Sequence, residues 1–433
     1  RGGNGAVMGA KKLKAIVVRG TGSVPLADDA AFRKAALRVN RHNATTPFLA
    51  NLRQYGTAES LDSCWALGDV PTKNWALGSQ EELSTRLGGK RMYGTIYRPH
   101  LGCYRCPMGC SRWAKVEQGP YAMDAPGPEY ETLAALGTMC MVDDLEAVAY
   151  AGHLCNLYGM DTISCGATIA FAMEAFERGL ITAGDAGGLA LAWGSAEALV
   201  GLVEQIASGT GLGPLLGQGT RRAAQQLGRG AADFAVQVKG LELPMHDPRA
   251  FYAWAATYAT SPRGACHMHG VSVLYEEREA PLPEWGLNGH YPRFSDENKG
   301  LLAAVAQDWS HIIGSMVICM FAGHALQPSD LAELINAATG AGYSVQDLRT
   351  IGERINAVHR AFNYRCGIRR ADDSLPVRML TAVREGGAAY KLPDLQVQLD
   401  EYYRVRGWEP DGRPGRQTLL RLGLDDVAQD LQG

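Results

Sequence analysis

The sequence lacks any long hydrophobic run. No segment approaches the roughly 18 consecutive apolar residues that a membrane-spanning helix requires. The most apolar stretch, residues 312–325, is shorter and is interrupted by Gly314, Ser315 and Gly323. No apolar segment typical of a secretory leader opens the chain either. We therefore expect a cytoplasmic protein that does not use a membrane as a partner.

Strong charge of either sign is also absent. The 42 Lys and Arg residues nearly balance the 45 Asp and Glu residues, and the net charge is −3. This balance gives no reason to expect nucleic acid or an anionic lipid surface as a partner. The 433 residues, of which 46% are hydrophobic, predict a well-packed globular protein with two or three domains.

Strand signals are few. The β-branched residues 16–18, which end before Gly20, indicate one strand, and residues 234–238 indicate another. Helical patterns predict helices over 129–137, 144–158 and 162–178. The predicted fold class is therefore mainly α.

Cysteine is the residue type that carries information here. The chain has ten cysteines, and without a secretory leader a disulfide framework is not the first expectation. Clustered cysteines in a cytoplasmic chain more often bind metal or take part in redox chemistry. We interpret Cys64, Cys140, Cys155, Cys266 and Cys366 as packing residues.

Three of the cysteines form a C-x2-C-x3-C run, namely Cys103, Cys106 and Cys110. A tetrahedral zinc would need a fourth ligand, for which His100 is the nearby candidate. A [4Fe-4S] cluster commonly takes several thiolates from one loop and another from far along the chain. The spacing alone leaves both alternatives open and does not identify the fourth ligand.

Several stretches resemble one known family when they are taken in chain order. They are RGGNGAVMG (1–9), PTKNW (71–75), the cysteine run (103–110), GPEYET (127–132), GMDTIS (159–164), DPRA (247–250) and YATSPRGACH (258–267). All are similar to the tungsten-containing aldehyde:ferredoxin oxidoreductases. The chain begins at Arg1 inside the first of these motifs, so we expect an N-terminal portion to be missing.

The resemblance implies an architecture. Residues 1–24 would end a β-rich cofactor-binding domain, of which this chain has the C-terminal remnant. Residues 25–240 would form a helical domain with the cysteine run, and residues 241–433 a second helical domain with the fourth cluster ligand.

The resemblance also implies cofactors. These are a [4Fe-4S] cluster and tungsten, or molybdenum, held by two molybdopterins, with Mg²⁺ bridging the pterin phosphates as a further expectation. Cys319 matches the distant fourth cluster ligand. Arg1, Gly2 and Gly3 would line the pterin pocket, where the guanidinium would bind a phosphate. Asp161 would accept pterin N–H bonds, and Asn156 stands where the family usually has Asp.

Glu131 and His267 are the catalytic residues that the resemblance implies. A buried carboxylate beside the metal could act as a general base towards water. Its alternative is a helix N-terminal carboxylate that the helix dipole favours. His267 would donate a proton or a hydrogen bond to the substrate carbonyl, with His269 as the fallback.

The role of Cys165 has two interpretations. A thiolate there could bind the tungsten as a soft ligand, as is thought for distant relatives that reduce aromatic acyl-CoA. It could equally be a small core residue.

The implied function is oxidation of a small aldehyde to its carboxylic acid, an activity of the EC 1.2.7 type. Electrons would pass through the cluster to a ferredoxin or an iron–sulfur electron-transfer subunit. The alternatives are the catalytic subunit of an aromatic acyl-CoA reductase and an iron–sulfur electron-transfer subunit without the pterin. Whether the protein forms a homo-oligomer is left open.

Overall fold

The computed structural model describes residues 1–99, 102–104, 106, 108–276, 282–323 and 326–431. Its helices are α1 Asn4–Ala10, α2 Asp29–Thr45, α3 Pro47–Tyr55, α4 Glu59–Cys64, α5 Glu81–Leu87, α6 Gly89–Gly94, α7 Tyr130–Leu136, α8 Leu145–Tyr158, α9 Thr162–Glu177, α10 Ala196–Ser208, α11 Gly213–Leu216, α12 Thr220–Leu227, α13 Ala253–Thr260, α14 Val273–Glu276, α15 Lys299–Ser315, α16 Met320–Gly323, α17 Pro328–Thr339, α18 Val345–Arg365, α19 Leu395–Arg406, α20 Arg416–Arg421 and α21 Asp425–Asp430. The predicted mainly α fold class is confirmed.

The strands of the described residues are short. β1 (Tyr97–Arg98), β2 (Trp113–Val116) and β3 (Met123–Pro126) form an antiparallel sheet in that order. β4 (Gln237–Val238) and β5 (Leu241–Glu242) form a hairpin. The small sheet matters because the cysteine run connects β1 to β2, and β3 leads directly into α7.

The centre of the larger hydrophobic core is the α7, α8 and α9 group. The three helices were predicted, and each begins within a residue of the expected position. The N-cap residue of α8 is Asp144, whose carboxylate accepts the N–H groups of Glu146 and Ala147. A Cβ on Gly166 would lie 2.4 Å from the backbone of Ala135, so α7 and α9 approach this closely only because the residue is glycine.

A second core surrounds α15. Trp285, Trp309 and Leu331 are among its buried side chains. Helix α2 packs on α17 of this region, where Arg38 pairs with Asp330 at 2.6 Å. The first core includes residues on both sides of position 240, and the predicted domain boundaries stay predictions.

The predicted strand at residues 16–18 is wrong. This stretch follows α1 and forms no strand, and Val17 is 92% exposed. A strand needs a neighbour to satisfy its backbone groups, and the described residues provide none here. Among the described residues, none of the helices is both long and apolar enough to cross a membrane.

Candidate functional site

The cysteine run is fixed to the protein by Arg112, a buried residue just before β2. Its guanidinium donates to the carbonyl oxygens of Gly109 at 2.9 Å and Leu52 at 2.8 Å. Another bond of 2.6 Å reaches the carbonyl of Arg53 at the end of α3. Arg112 therefore connects the cysteine loop to α3, and replacing this residue would remove the hydrogen bonds that join the two.

Four cysteines from two distant segments form what we call the cysteine site: Cys103, Cys106, Cys110 and Cys319. Burial, together with the nearby charges of Glu129, Cys319, Cys106 and Cys103, raises the pKa of the Cys110 thiol to about 11. Phe321 packs with Cys106 and Cys110 against the cluster of Leu49, Leu52 and Met108, so the loop and the segment after α15 lie side by side. The Met108 N–H donates to the Cys106 sulfur at 3.4 Å.

Four cysteine thiols are a donor set that fits an iron–sulfur cluster. Within the described ranges, no group of three His, Cys, Asp or Glu residues is arranged to hold one metal ion. His100, the candidate fourth zinc ligand, lies outside the described residues. A cube holds its thiolates at four separate corners, and an N–H bond to sulfur, as at Cys106, is one way to tune its potential. The [4Fe-4S] cluster remains a prediction.

Glu131 lies in the first turn of α7 and its carboxylate is enclosed by protein. Its Oε2 accepts the backbone N–H of Met245 at 2.9 Å, whereas Oε1 has no hydrogen-bond partner. Oε1 lies 3.7 Å from Nε2 of His246 and 3.5 Å from Nε2 of His267. Burial raises the pKa of Glu131, and His246 and the Met245 N–H partly oppose the shift. The helix N-terminus alone does not explain a buried oxygen aimed at two imidazoles.

His246 is the functional candidate that the sequence reasoning missed. Its Nδ1 lies 2.6 Å from Oδ2 of Asp69, whose Oδ1 accepts the Asp247 N–H at 3.0 Å. The ring stacks on Tyr130 and Trp254, with centroid distances of 4.8 and 5.7 Å. The signal that could have identified it is its position directly before the DPRA motif. A lone histidine in a loop is by itself weak evidence for a function.

His267 faces the same space as Glu131. Its Nδ1 has no partner, and burial lowers its pKa well below 6.5, with further lowering by His246, Arg1 and Arg263. The imidazole is therefore neutral at neutral pH. The distances of 3.5–3.7 Å from Glu131 Oε1 to Nε2 of the two rings are too long for good direct hydrogen bonds. A small molecule bonded to all three groups would complete the network. We call Glu131, His246, His267 and Asp69 the acid–base site.

Three of the five predicted pterin-binding residues line one cavity. Arg1, Asn156 and Asp161 line a space of about 240 Å³ beside the start of α9. Arg1 Nε pairs with Asp161 Oδ2 at 2.9 Å, and its Nη2 donates to the Glu242 carbonyl at 2.7 Å. Asp161 also caps α9 by accepting the Ser164 N–H at 3.0 Å.

These polar groups have the donors and acceptors that pterin edges need, so the residues fit the group. The guanidinium of Arg1 is engaged by protein atoms, and its role towards a phosphate stays a prediction. Gly2 and Gly3 have φ of 93° and 79°, which non-glycine residues rarely adopt. A Cβ on Gly2 would lie 3.7 Å from Arg263, which places this segment beside the loop that carries His267.

Cys165 is buried in the first core. A hydrogen bond with Cys155 and burial raise the pKa of its thiol well above the usual value. Cys64, Cys140, Cys155 and Cys266 are buried as predicted. The prediction for Cys366 is wrong: it is exposed, because α18 ends at Arg365 and the chain turns there in solvent.

The mainly α fold brings four thiols and a carboxylate beside two imidazoles into one chain, an arrangement that suits redox chemistry coupled to proton transfer. Comparisons with known proteins then identify the family. A family model described as "Aldehyde ferredoxin oxidoreductase, domains 2 & 3" matches residues 31–424. The chain belongs to the aldehyde ferredoxin oxidoreductase family.

The relatives carry similar names. The tungsten-containing aldehyde ferredoxin oxidoreductase of Thermococcus kodakarensis is 36% identical over 428 residues, which are 98% of this chain and 69% of the relative. The Pyrococcus furiosus protein of the same name is 35% identical over the same shares. A P. furiosus aliphatic sulfonate oxidoreductase, WOR-like subunit, is 28% identical over 452 residues, 100% of this chain and 67% of the relative.

One solved structure shares the fold. The active site complex BamBC of benzoyl coenzyme A reductase, in complex with 1,5-dienoyl-CoA, aligns with a TM-score of 0.81. The alignment covers 100% of this chain and 70% of that chain at 24% identity, so it shows the fold.

Proposed function

We propose that this oxidoreductase oxidises an aldehyde to its carboxylic acid at the acid–base site and passes the electrons to the cysteine site. The observation that carries the proposal is the unpartnered Oε1 of Glu131 between two imidazoles. The overall change converts RCHO and water into RCOOH, two protons and two electrons. The names of the relatives support the aldehyde as substrate.

Glu131 acts as the base in this proposal. Its raised pKa makes the carboxylate a stronger base towards water than an exposed glutamate is. The Met245 N–H holds one oxygen, so the other points at the reacting molecule. His246, held by Asp69, lies 3.7 Å from Glu131 Oε1, where a positively charged ring stabilises the carboxylate.

His267 acts as the hydrogen-bond donor. A neutral imidazole has one N–H, which donates to the carbonyl oxygen as negative charge develops there. Its low pKa keeps the ring neutral, so it does not form a salt bridge with Glu131 that would consume the base.

The cofactors are proposed from the residues that fit them. Tungsten or molybdenum held by two pterins at Arg1, Asn156 and Asp161 supplies, when bound, the two-electron acceptor. Cys103, Cys106, Cys110 and Cys319 would hold a [4Fe-4S] cluster, which would supply one-electron transfer to a ferredoxin or to an iron–sulfur subunit. Mg²⁺ between pterin phosphates belongs to the same proposal, and the relatives' names support tungsten over molybdenum.

The experiment is an anaerobic assay of the full-length protein, with elemental analysis for W, Mo and Fe. We expect aldehyde-dependent reduction of a viologen dye, roughly four iron atoms per chain and tungsten. Protein that contains tungsten and iron but reduces no dye with any of a panel of aliphatic and aromatic aldehydes would contradict the proposal.

A further inference from the structure

A further cavity, next to the loop that follows His267, takes no part in the chemistry proposed above. It has a volume of about 450 Å³, which is the size of a site for a small organic molecule. Met268 and His269 line it from the loop after His267, and Ile318 and Met320 line it from the segment that carries Cys319. The cavity therefore lies between the loop of the acid–base site and a ligand segment of the cysteine site.

The described wall of this cavity is apolar and carries no Asp, Glu, Lys or Arg side chain. A charged ligand would lose its hydration there without gaining a charged partner among the described residues. The apolar part of the wall consists mainly of Val271, Leu274, Trp309, Ile313, Leu326 and Ile355.

Three histidines interrupt the apolar wall. The ring centroids of His269 and His311 are 5.2 Å apart, those of His311 and His359 5.2 Å, and those of His269 and His359 6.4 Å. Burial lowers the pKa of His269 to about 4 and of His311 to about 2, and it also lowers the pKa of His359. The three rings are neutral at neutral pH. As described, they do not form a site for one metal ion.

Two of the imidazoles have an unused nitrogen. Nδ1 of His269 and Nδ1 of His359 are buried and have no hydrogen-bond partner. An unsatisfied buried polar atom costs about 1–3 kcal/mol, which a ligand hydroxyl could recover. The third ring differs, because Nε2 of His311 lies 3.5 Å from the Asn356 side chain.

We propose that this cavity is a specificity subsite that holds a neutral, ring-bearing aldehyde whose hydroxyl group pairs with His269 or His359. This deepens the proposed function and rests on it for the aldehyde group. His269 follows His267 by two residues, and two residues span at most roughly 7 Å. In this proposal the ring occupies the cavity, and the aldehyde extends from it along the 267–269 segment towards Glu131. Substrates with a carboxylate, a phosphate or a CoA tail are disfavoured.

The test uses three ketones that cannot be oxidised as aldehydes are: 4-hydroxyacetophenone, acetophenone and 4-acetylbenzoate. Their binding to the full-length protein is measured by calorimetry. We expect 4-hydroxyacetophenone to bind about tenfold more tightly than acetophenone and 4-acetylbenzoate to bind most weakly. Equal affinities for the first two, or preferred binding of the benzoate, would overturn the proposal.

Variants locate the binding. His269→Phe with His359→Phe should remove the preference for the hydroxyl and keep acetophenone binding, whereas His42→Phe on the exposed face of α2 should change nothing. If the double variant does not fold, Ile355→Trp fills the cavity from α18 and should abolish binding of both ketones. Unchanged binding in Ile355→Trp would overturn the proposal.

The two proposals fail separately. Ketone binding with the expected preference, together with no oxidation of 4-hydroxybenzaldehyde, would contradict the proposed function and support the subsite. Oxidation of benzaldehyde and 4-hydroxybenzaldehyde with equal kcat/KM, unaffected by Ile355→Trp, would support the function and overturn the subsite.

Discussion

The cysteine site and the acid–base site differ in how the chain assembles them. Three of the four thiols come from one loop of eight residues, and Cys103 and Cys319 are exposed. The acid–base site instead takes single side chains from four separate places, and one of them, His246, stacks on Tyr130 and Trp254. A metal cluster can itself organise an exposed loop, whereas acid–base chemistry needs its groups fixed and desolvated beforehand.

The change with the largest expected effect is Cys319→Ala, which tests whether the cysteine site works as a unit. Losing one corner ligand should abolish the cluster or convert it to a three-iron form, and turnover with ferredoxin should fall below detection. Iron analysis and EPR of the reduced protein measure this. Cys366→Ala, an exposed thiol elsewhere, serves as the control. A normal four-iron signal in Cys319→Ala would show that Cys319 is not a cluster ligand.

The next change separates the two sites. Glu131→Gln keeps the shape of the side chain and removes the base, so kcat should fall by roughly 10²-fold or more while iron and tungsten contents hold. His267→Ala should have a similar effect. The exposed Glu146→Gln on α8 should leave kcat unchanged. Unaltered kcat in both site variants would disprove their assignment.

The third change concerns pH. Glu131 can act as a base only when its carboxyl group is deprotonated. On the acid side of the profile, kcat/KM should therefore rise as the pH passes the raised pKa of Glu131. The charge of His246 opposes that rise in pKa, so His246→Gln should move the acid limb to higher pH. At a fixed neutral pH we expect a loss of roughly tenfold, as for residues that position others.

His246→Gln can also be judged against a purely structural role. A variant that only loosened packing would lower kcat at every pH and leave the limb in place. Asp69→Asn should shift the limb in the same direction, since Asp69 stabilises the charged form of His246 at 2.6 Å. Limbs at the wild-type position in both variants would show that neither residue tunes Glu131.

The smallest effect is expected at Cys165, which belongs to neither site in this account. Cys165→Ala should cost at most about 1–2 kcal/mol of unfolding free energy, and aldehyde oxidation should survive. Denaturant unfolding compares it with Cys140→Ala in the same core. Loss of activity, with X-ray absorption at the metal edge showing five sulfur neighbours in the wild type rather than four, would instead make Cys165 a tungsten ligand.

The sequence predicts the two regions unequally well. Cysteine spacing is local, so Cys103, Cys106 and Cys110 are visible at once, and the helices of the first core follow from caps and periodicity. Asp69 and His246 are 177 residues apart, and no local pattern links them. The wrong expectations have a similar cause: residues 16–18 and Cys366 have apolar character, but whether a neighbour covers them depends on tertiary structure.

The most direct test of the account is a single-turnover experiment that connects the two regions. Oxidised full-length protein is mixed anaerobically with an aldehyde and no external acceptor, and the cluster is followed by EPR. We predict that the aldehyde reduces the cluster in the wild type, and that in Glu131→Gln only dithionite does so. A wild-type cluster that dithionite reduces but aldehydes leave oxidised would contradict the account.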